Sequence, residues 1–145
     1  MAYSGRYHPT NPKKYTGDVT NIWYRSLWER KTMDWLDRNS NVLEWSSEEL
    51  IIPYLSPIDN KYHRYFPDFV AKIKGKDGKA RKFVIEVKPE KQTKPPVKPK
   101  KVTKSVINEI ATWGINEAKW DAALSFCQDR GWEFKIITEK ELNIK

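Results

Sequence analysis

Short runs of apolar residues fill the middle of the chain, and apolar positions recur at helical spacing on either side. Residues 69–73 and 83–87 are rich in β-branched and aromatic side chains, and each run has the length of one strand. The segment Gly75-Lys76-Asp77-Gly78 lies between them, and Asp-Gly supplies the positive-φ positions that a tight turn needs. The pattern therefore predicts an antiparallel hairpin.

The predicted turn also sets which residues face each other across the hairpin. With the turn centred on Asp77, residues equidistant from it are paired, so Asp68 is expected opposite Glu86. Side chains alternate between the two faces of a strand. We therefore expect a chemical face and a core face, carrying Val84, Glu86 and Lys88 on the first and Phe83, Ile85 and Val87 on the second.

Before the hairpin, the chain reads as an arm, a helix and two strands. Residues 1–18 have no periodicity and are predicted to be an N-terminal arm that wraps the domain or a partner. Helical spacing from about Thr20 to Asn39 predicts a helix whose Trp28 and Trp35 are core residues. Residues 42–45 and 50–54 are predicted strands.

After the hairpin, two helices and a strand are expected. Thr103 is the predicted cap of the first helix, Asn116 the cap of the second, and Gly131 the end of the second. Residues 132–136 then alternate as a strand. The order of elements predicts an α/β fold, with residues 19–145 forming one domain in which helices flank a mixed β-sheet.

The charge balance suggests a polyanionic partner. Among 145 residues there are 27 Lys and Arg against 19 Asp and Glu, a net charge of +8, which makes nucleic acid the leading candidate. No apolar run approaches the roughly 20 residues that a bilayer requires, and the N-terminus is polar, so we expect an intracellular protein without a membrane partner. Cys127 is the one cysteine, which excludes a disulfide within the chain and a cysteine-cluster zinc site.

Residues 89–104 combine prolines with lysines. The proline density predicts an extended basic loop, which starts directly after Lys88 and could grip a DNA backbone by sequence-independent contacts. For any single lysine, a solvated linker is the better interpretation. The predicted DNA-binding residues are Arg25, Lys91, Gln92, Lys94, Lys98, Lys100, Lys101 and Lys104.

Asp68, Glu86 and Lys88 carry the candidate chemistry. Facing residues on paired strands have Cβ atoms roughly 4.5–5.5 Å apart, so the two carboxylates could share one hard cation, Mg²⁺ or Mn²⁺. Lys88 could orient or activate a water and stabilise the developing negative charge. Taken separately, an Asp after Pro67 is a turn residue and Glu-x-Lys a solvated charge pattern. Their combination favours a phosphodiester hydrolase without a small-molecule cofactor.

Glu29 has two equally supported interpretations. In Ser26-Leu27-Trp28-Glu29 the glutamate fits a capping box at a helix start. If the helix starts earlier, near Thr20 or Asn21, Glu29 projects toward the sheet as a further metal ligand.

Pro67-Asp68 together with Glu86-Val87-Lys88 resembles the signature of the PD-(D/E)xK nucleases. Four longer segments sharpen the resemblance: Tyr24-Arg25-Ser26-x-x-Glu29, Tyr65-Phe66-Pro67-Asp68, the proline-rich insert, and Asn108-Glu109-Ile110 with Thr112-Trp113. With these segments, the chain resembles over essentially its whole length the head-completion nucleases of T-even-type tailed phages, which group with the TnsA-like endonucleases.

The resemblance implies a restriction-endonuclease-like core and a magnesium-dependent endodeoxyribonuclease. Glu29 would be the helical acidic ligand, Asp68 and Glu86 would bind the metal with the Val87 carbonyl oxygen, and Lys88 would be the catalytic lysine. TnsA-like enzymes can carry Gln at the position of Glu86, so its ligand role is less fixed than that of Asp68.

The implied partners are double-stranded DNA and phage head or portal proteins, and the implied location is the host cytoplasm during assembly or the head-neck region of the virion. Such an enzyme would act on packaged DNA ends before tail attachment. The main alternative is a non-catalytic head-completion protein that seals the portal and binds DNA. A stand-alone nuclease is a third, although no base-reading element is visible.

Overall fold

A four-stranded mixed sheet is the centre of the computed structural model, which describes residues 4–97 and 100–143. The predicted DNA-binding residue Lys98 lies outside these ranges. The elements in chain order are β1 (Gly5–Arg6), a 3-10 helix (Pro12–Lys14), β2 (Trp23–Tyr24), α1 (Leu27–Arg38), β3 (Val42–Ser47), β4 (Ile52–Leu55), β5 (Tyr62–Tyr65), β6 (Phe69–Lys74), β7 (Ala80–Val87), a 3-10 helix (Glu90–Thr93), α2 (Lys104–Arg130) and β8 (Glu133–Ile137).

The main sheet has the order β3-β6-β7-β8. β6 runs antiparallel to both β3 and β7, whereas β8 is parallel to β7. A parallel neighbour requires a long crossover, and the basic loop and α2 provide it. The predicted mixed sheet flanked by helices is confirmed.

The β6–β7 hairpin has the predicted register. Phe69 faces Ile85 and Lys74 faces Ala80, so the pairing is centred on Asp77. Gly78 adopts φ +80°, the left-handed conformation expected for the Asp-Gly turn. The register brings Asp68 and Glu86 to the same end of the hairpin.

Two hydrophobic clusters cover the two faces of the sheet. The first joins Met33 and Leu36 of α1 to Trp45, Phe69 and other buried residues. The second joins Trp120 and Ala123 of α2 to the small β4–β5 sheet. Val84 is fully buried, so the predicted chemical face of β7 is also core along most of its length. Only the last part of this face, at Glu86 and Lys88, carries the residues predicted to be chemical.

The N-terminal residues pack against the domain. Tyr7 and Tyr15 belong to the first hydrophobic cluster, and the Tyr7 hydroxyl donates to Asp34 at 2.8 Å. The carboxylate of Asp37, which is fully buried, accepts from the backbone N–H groups of Thr10 at 2.7 Å and Asn11 at 3.0 Å. These bonds satisfy a charge that burial would otherwise destabilise.

Helix α1 differs from its predicted form in two ways. It begins at Leu27 with Ser26 as N-cap, because the chain before it pairs as strand β2. Its buried stripe contains Met33 and Leu36, whereas Trp35 is 48% exposed. Trp35 does not belong to the buried stripe of α1. The prediction that it is a core residue is therefore wrong.

The two predicted C-terminal helices are a single helix of 27 residues. The caps at its ends were predicted correctly: Thr103 accepts from the N–H of Val106 at 3.3 Å, and Gly131 has φ +69°. Asn116 caps nothing, since it is a buried residue inside the helix. Gly114 is tolerated within the helix and lies against Pro57.

Strand β5 was missed by the sequence reasoning, which assigned a loop before Asp68. It pairs antiparallel with β4, and Tyr54 faces His63.

Within the described ranges, no helix is long and apolar enough to cross a membrane.

The continuity of α2 predicts opposite effects for two glycine substitutions. Gly114→Ala should stabilise the protein by about 1 kcal/mol, because alanine favours helix and its added Cβ would meet Pro57 at an ordinary 3.6 Å. Gly131→Ala should destabilise it by about 1 kcal/mol, because its φ of +69° is strained for alanine. Urea unfolding of both variants measures the difference, and a destabilising Gly114→Ala would contradict a continuous helix.

Candidate active site

The candidate site lies where β3, β6 and β7 meet at one end of the sheet. Asp68 immediately precedes β6, and its Oδ2 accepts from the N–H of Val87 at 2.8 Å. Its carbonyl accepts from the N–H of Glu48, at the end of β3, at 3.2 Å. Asp68 is therefore tied on both sides to the neighbouring strands.

Three carboxylates converge here. Glu29, Glu48 and Asp68 each offer an oxygen, and these oxygens lie within 4.8 Å of one another. All three residues are partly buried. The cluster joins the first turn of α1 to the ends of two strands, so residues distant in sequence form one oxygen-rich site.

Glu29 takes part in the cap of α1, as the first interpretation predicted, and the earlier helix start of the second interpretation is wrong. Its N–H donates to Ser26 Oγ at 3.2 Å, and its carboxylate accepts from the N–H of Arg25 at 3.3 Å. This is a capping-box arrangement, shifted by one residue on the carboxylate side. The same carboxylate belongs to the acidic cluster, and burial raises its pKa, with the charge of Glu48 acting in the same direction.

Glu48 is the residue that the sequence reasoning missed. It follows β3 in the left-handed conformation, with φ +55°, and forms an ion pair with the predicted DNA-binding residue Arg25 at 2.9 Å. The pairing of β3 with β6 places it beside Asp68. Glu48 lies between the two predicted strands 42–45 and 50–54, and the sequence did not show that the first of these pairs with β6.

Glu86 lies on the same side of the sheet as the second hydrophobic cluster. It is 6% exposed, and its Oε2 accepts from the Tyr65 hydroxyl at 3.0 Å. Burial raises its pKa, whereas the charge of Lys88, the Tyr65 hydrogen bond and the charge of Lys119 oppose that rise. The Lys119 ammonium lies 5.7 Å from the centres of the Tyr54 and Tyr65 rings.

Asp68 is the most strongly perturbed of the acidic groups. Burial first, and then the nearby negative charges of Glu86 and Glu29, raise its pKa well above the ordinary 3.8. The N–H of Val87 and the charge of Lys88 act in the opposite direction. The Lys88 backbone is held by its N–H, which donates to the Ile137 carbonyl of β8 at 2.9 Å.

The donor set suits a hard divalent cation. Carboxylate oxygens are the ligands that Mg²⁺ and Mn²⁺ prefer, and a cation among them would relieve the repulsion that raises the pKa of Asp68. The N–H of Val87 donates to Asp68, so the backbone of Val87 lies directly beside that carboxylate. The arrangement fits the predicted metal-binding role of Glu29, Asp68 and Val87, with Glu86 beside them.

The start of the basic loop is not extended, as was predicted, but forms a turn. It begins with a 3-10 turn rather than an extended segment, because the N–H of Gln92 donates to the Pro89 carbonyl at 2.9 Å. Lys91, Gln92 and Lys94 are exposed and line a cavity against α2. Lys100, Lys101 and Lys104 are exposed near the start of that helix.

Two comparisons relate the chain to known proteins. Residues 39–139 match the family described as TnsA-like endonuclease N terminal, a match that starts after α1 and therefore does not include Glu29. The chain is also 46% identical over 146 aligned positions to the head completion nuclease of Enterobacteria phage T4, covering 98% of this chain and 95% of that protein.

The raised pKa of Asp68 predicts a pH-dependent gain from Asp68→Asn. A raised folded-state pKa means that stability is full below the unfolded value of 3.8 and is lost as pH rises through the folded pKa. In EDTA at neutral pH, Asp68→Asn should therefore raise Tm by a few degrees. The gain should shrink toward zero as pH falls to about 4.

The control is Asp121→Asn, at an exposed carboxylate of α2, which should leave Tm nearly unchanged across the same pH series. A Tm for Asp68→Asn below that of the wild type at neutral pH would contradict repulsion in the metal-free site.

Proposed function

Because this chain belongs to the TnsA-like endonuclease family, we propose that it is a divalent-metal-dependent endodeoxyribonuclease of phage head completion. The main support for this proposal is the convergence of Glu29, Glu48 and Asp68 at one end of the sheet, with Glu86 and Lys88 alongside. A concentration of negative charge repels DNA unless a cation neutralises it. A site that only bound DNA would not need such a concentration of negative charge.

The proposed metal ligands are Asp68, Glu29 and the Val87 carbonyl, with Glu48 and Glu86 as additional oxygens. Mg²⁺, or Mn²⁺ in its place, would polarise the phosphate and acidify a water when bound. The chain's own contribution is to hold these oxygens in position. The N–H of Val87 fixes one Asp68 oxygen and the Tyr65 hydroxyl fixes one Glu86 oxygen.

Lys88 is the proposed catalytic lysine. Its charge lowers the pKa of both Asp68 and Glu86, which supports a role beside these carboxylates. There it would orient the attacking water and stabilise the extra negative charge on the phosphate as the phosphorus–oxygen bond to the leaving group breaks. Its backbone bond to β8 holds the residue at the end of the sheet.

Arg25 is the proposed phosphate contact nearest the metal ligands. It is largely exposed and paired with Glu48. Ligation of Glu48 would free the guanidinium, which suits bidentate contact with a phosphate. The exposed lysines of the basic loop would hold the DNA further along.

The biological setting is proposed from the relative at 46% identity, whose name is head completion nuclease. The proposed substrate is the end of packaged double-stranded DNA, before tail attachment. Head or portal proteins are the proposed partners, acting in the host cytoplasm or in the virion.

The first test is cleavage of linear duplex DNA in Mg²⁺, in Mn²⁺ and in EDTA. Wild-type protein should cut in both metals and not in EDTA. Lys88→Ala should lower the rate by at least about a hundredfold, because the water and the transition-state charge lose their cation. Lys72→Ala, at an exposed lysine in the middle of β6, is the matched control and should cut normally.

DNA binding without cutting in either metal would instead favour a structural head-completion protein. Full activity of Lys88→Ala would remove the lysine from the mechanism.

A second test concerns the basic loop. Replacing Lys91, Lys100 and Lys101 together by Gln should weaken duplex binding and flatten its salt dependence, whose slope is about −0.9 per phosphate contact. The control removes the same charge at the far end of the hairpin, through Lys74, Lys76 and Lys79, which are also exposed. An equal loss in both triple variants would show general attraction rather than a loop contact.

A further inference from the structure

A cavity of about 620 Å³ lies between residues 91–97 and one face of α2. Its helical wall contains Asn108, Thr112, Trp113 and Asn116, at the spacing of successive turns on one side of a helix. Gln92 and Lys94 lie on the opposite wall. The cavity is separate from the cluster of Glu29, Glu48 and Asp68.

Asn116 is the unusual residue of this cavity. It sits in the middle of α2 and is only 9% exposed. Within residues 4–97 and 100–143 its side-chain amide has no hydrogen-bond partner, although it lines the cavity. Its polar atoms are open to the cavity, since Asn116 is not among the described residues with a buried polar atom that lacks a partner, and its donor and acceptor are therefore available to a molecule that enters.

The other walls narrow the chemistry of that molecule. Trp113 is partly buried, packs edge-on against Trp120 with ring centres 5.9 Å apart, and presents an aromatic surface to the cavity. Gln92, Asn108 and Thr112 supply donors and acceptors, Lys94 supplies a cation that pairs with Glu90 at 3.5 Å, and Glu109 adds a carboxylate. An aromatic surface, amides and a lysine together match the ring, edge and phosphate of a nucleotide.

The cavity is within reach of the candidate active site along the chain. Lys91 follows Lys88 by three residues, which span at most roughly 10 Å, and it lines the cavity mouth. A DNA strand whose phosphate lies at Lys88 can therefore deliver a neighbouring nucleotide to Trp113. The bases of an intact duplex are stacked and paired, so only an unpaired nucleotide could enter.

We propose that this cavity binds one unpaired nucleotide of the DNA strand held at the active site. The proposal rests on the proposed nuclease function and deepens it. The preferred substrate is DNA with a single-stranded end, with Trp113 stacking on the base and Asn116 hydrogen-bonding to its edge.

The experiment compares two fluorescent duplexes that carry the same short single-stranded extension, with normal bases in one and abasic sites in the other. Both have equal numbers of phosphates, so electrostatic attraction is matched. In EDTA, where the proposed metal-dependent cutting is absent, fluorescence anisotropy should give at least about fivefold tighter binding to the extension with bases. Extensions of both polarities are measured.

Asn116→Leu, which keeps the side-chain volume and removes the amide, should abolish this preference. Gln92→Leu changes the opposite wall at an exposed position, where the fold is not at stake, and should reduce it. Gln128→Leu makes the same change at an exposed site further along α2 and should leave it unchanged.

Equal binding of the two duplexes in both polarities, or a preference that survives both Asn116→Leu and Gln92→Leu, would overturn the cavity assignment. Metal-dependent cutting combined with equal binding would leave the nuclease function intact and remove only the cavity. A base preference without cutting in either metal would keep the cavity and remove the nuclease.

Discussion

The register of β6 against β7 is the constraint on which the site depends. Because side chains alternate along a strand, a slip of one residue would turn Glu86 toward the first hydrophobic cluster, where Ile85 now lies, and Ile85 toward the carboxylates. The Asp-Gly turn fixes the register at one end, and the bond from the N–H of Val87 to Asp68 marks it at the other. β3 pairs with the far side of β6, which adds Glu48 to the same end of the sheet. Two antiparallel ladders thus meet where the acidic groups lie.

The surrounding residues compensate for this concentration of charge. Tyr65 donates to Glu86, Arg25 pairs with Glu48, and the backbone of Arg25 donates to Glu29. Each of these contacts also holds one carboxylate oxygen in position. The remaining repulsion favours cation binding, since a site without it would gain less from neutralisation.

Local features of the sequence predicted the hairpin, its facing carboxylates, the caps of α2 and the final strand. The features that were missed depend on distant contacts. Glu48 joins the site only because β3 is the neighbour of β6, and Trp35 is exposed because the sheet lies on another side of α1. The sequence divided α2 into two helices, but packing against the β4–β5 sheet and β8 keeps it continuous and outweighs the weak helix propensity of Gly114. Asn116 was consequently interpreted as a cap rather than as part of a cavity.

The bond between Lys88 and Ile137 makes the position of the Lys88 backbone depend on β8. The carboxylates all precede residue 87, on α1 or at the ends of strands that come before the crossover. The backbone of Lys88 is held only when β8, near the end of the described chain, adds to the sheet after the whole crossover has been made. A chain cut before β8 would therefore keep the acidic residues and lose the contact that holds the backbone of Lys88 to the sheet.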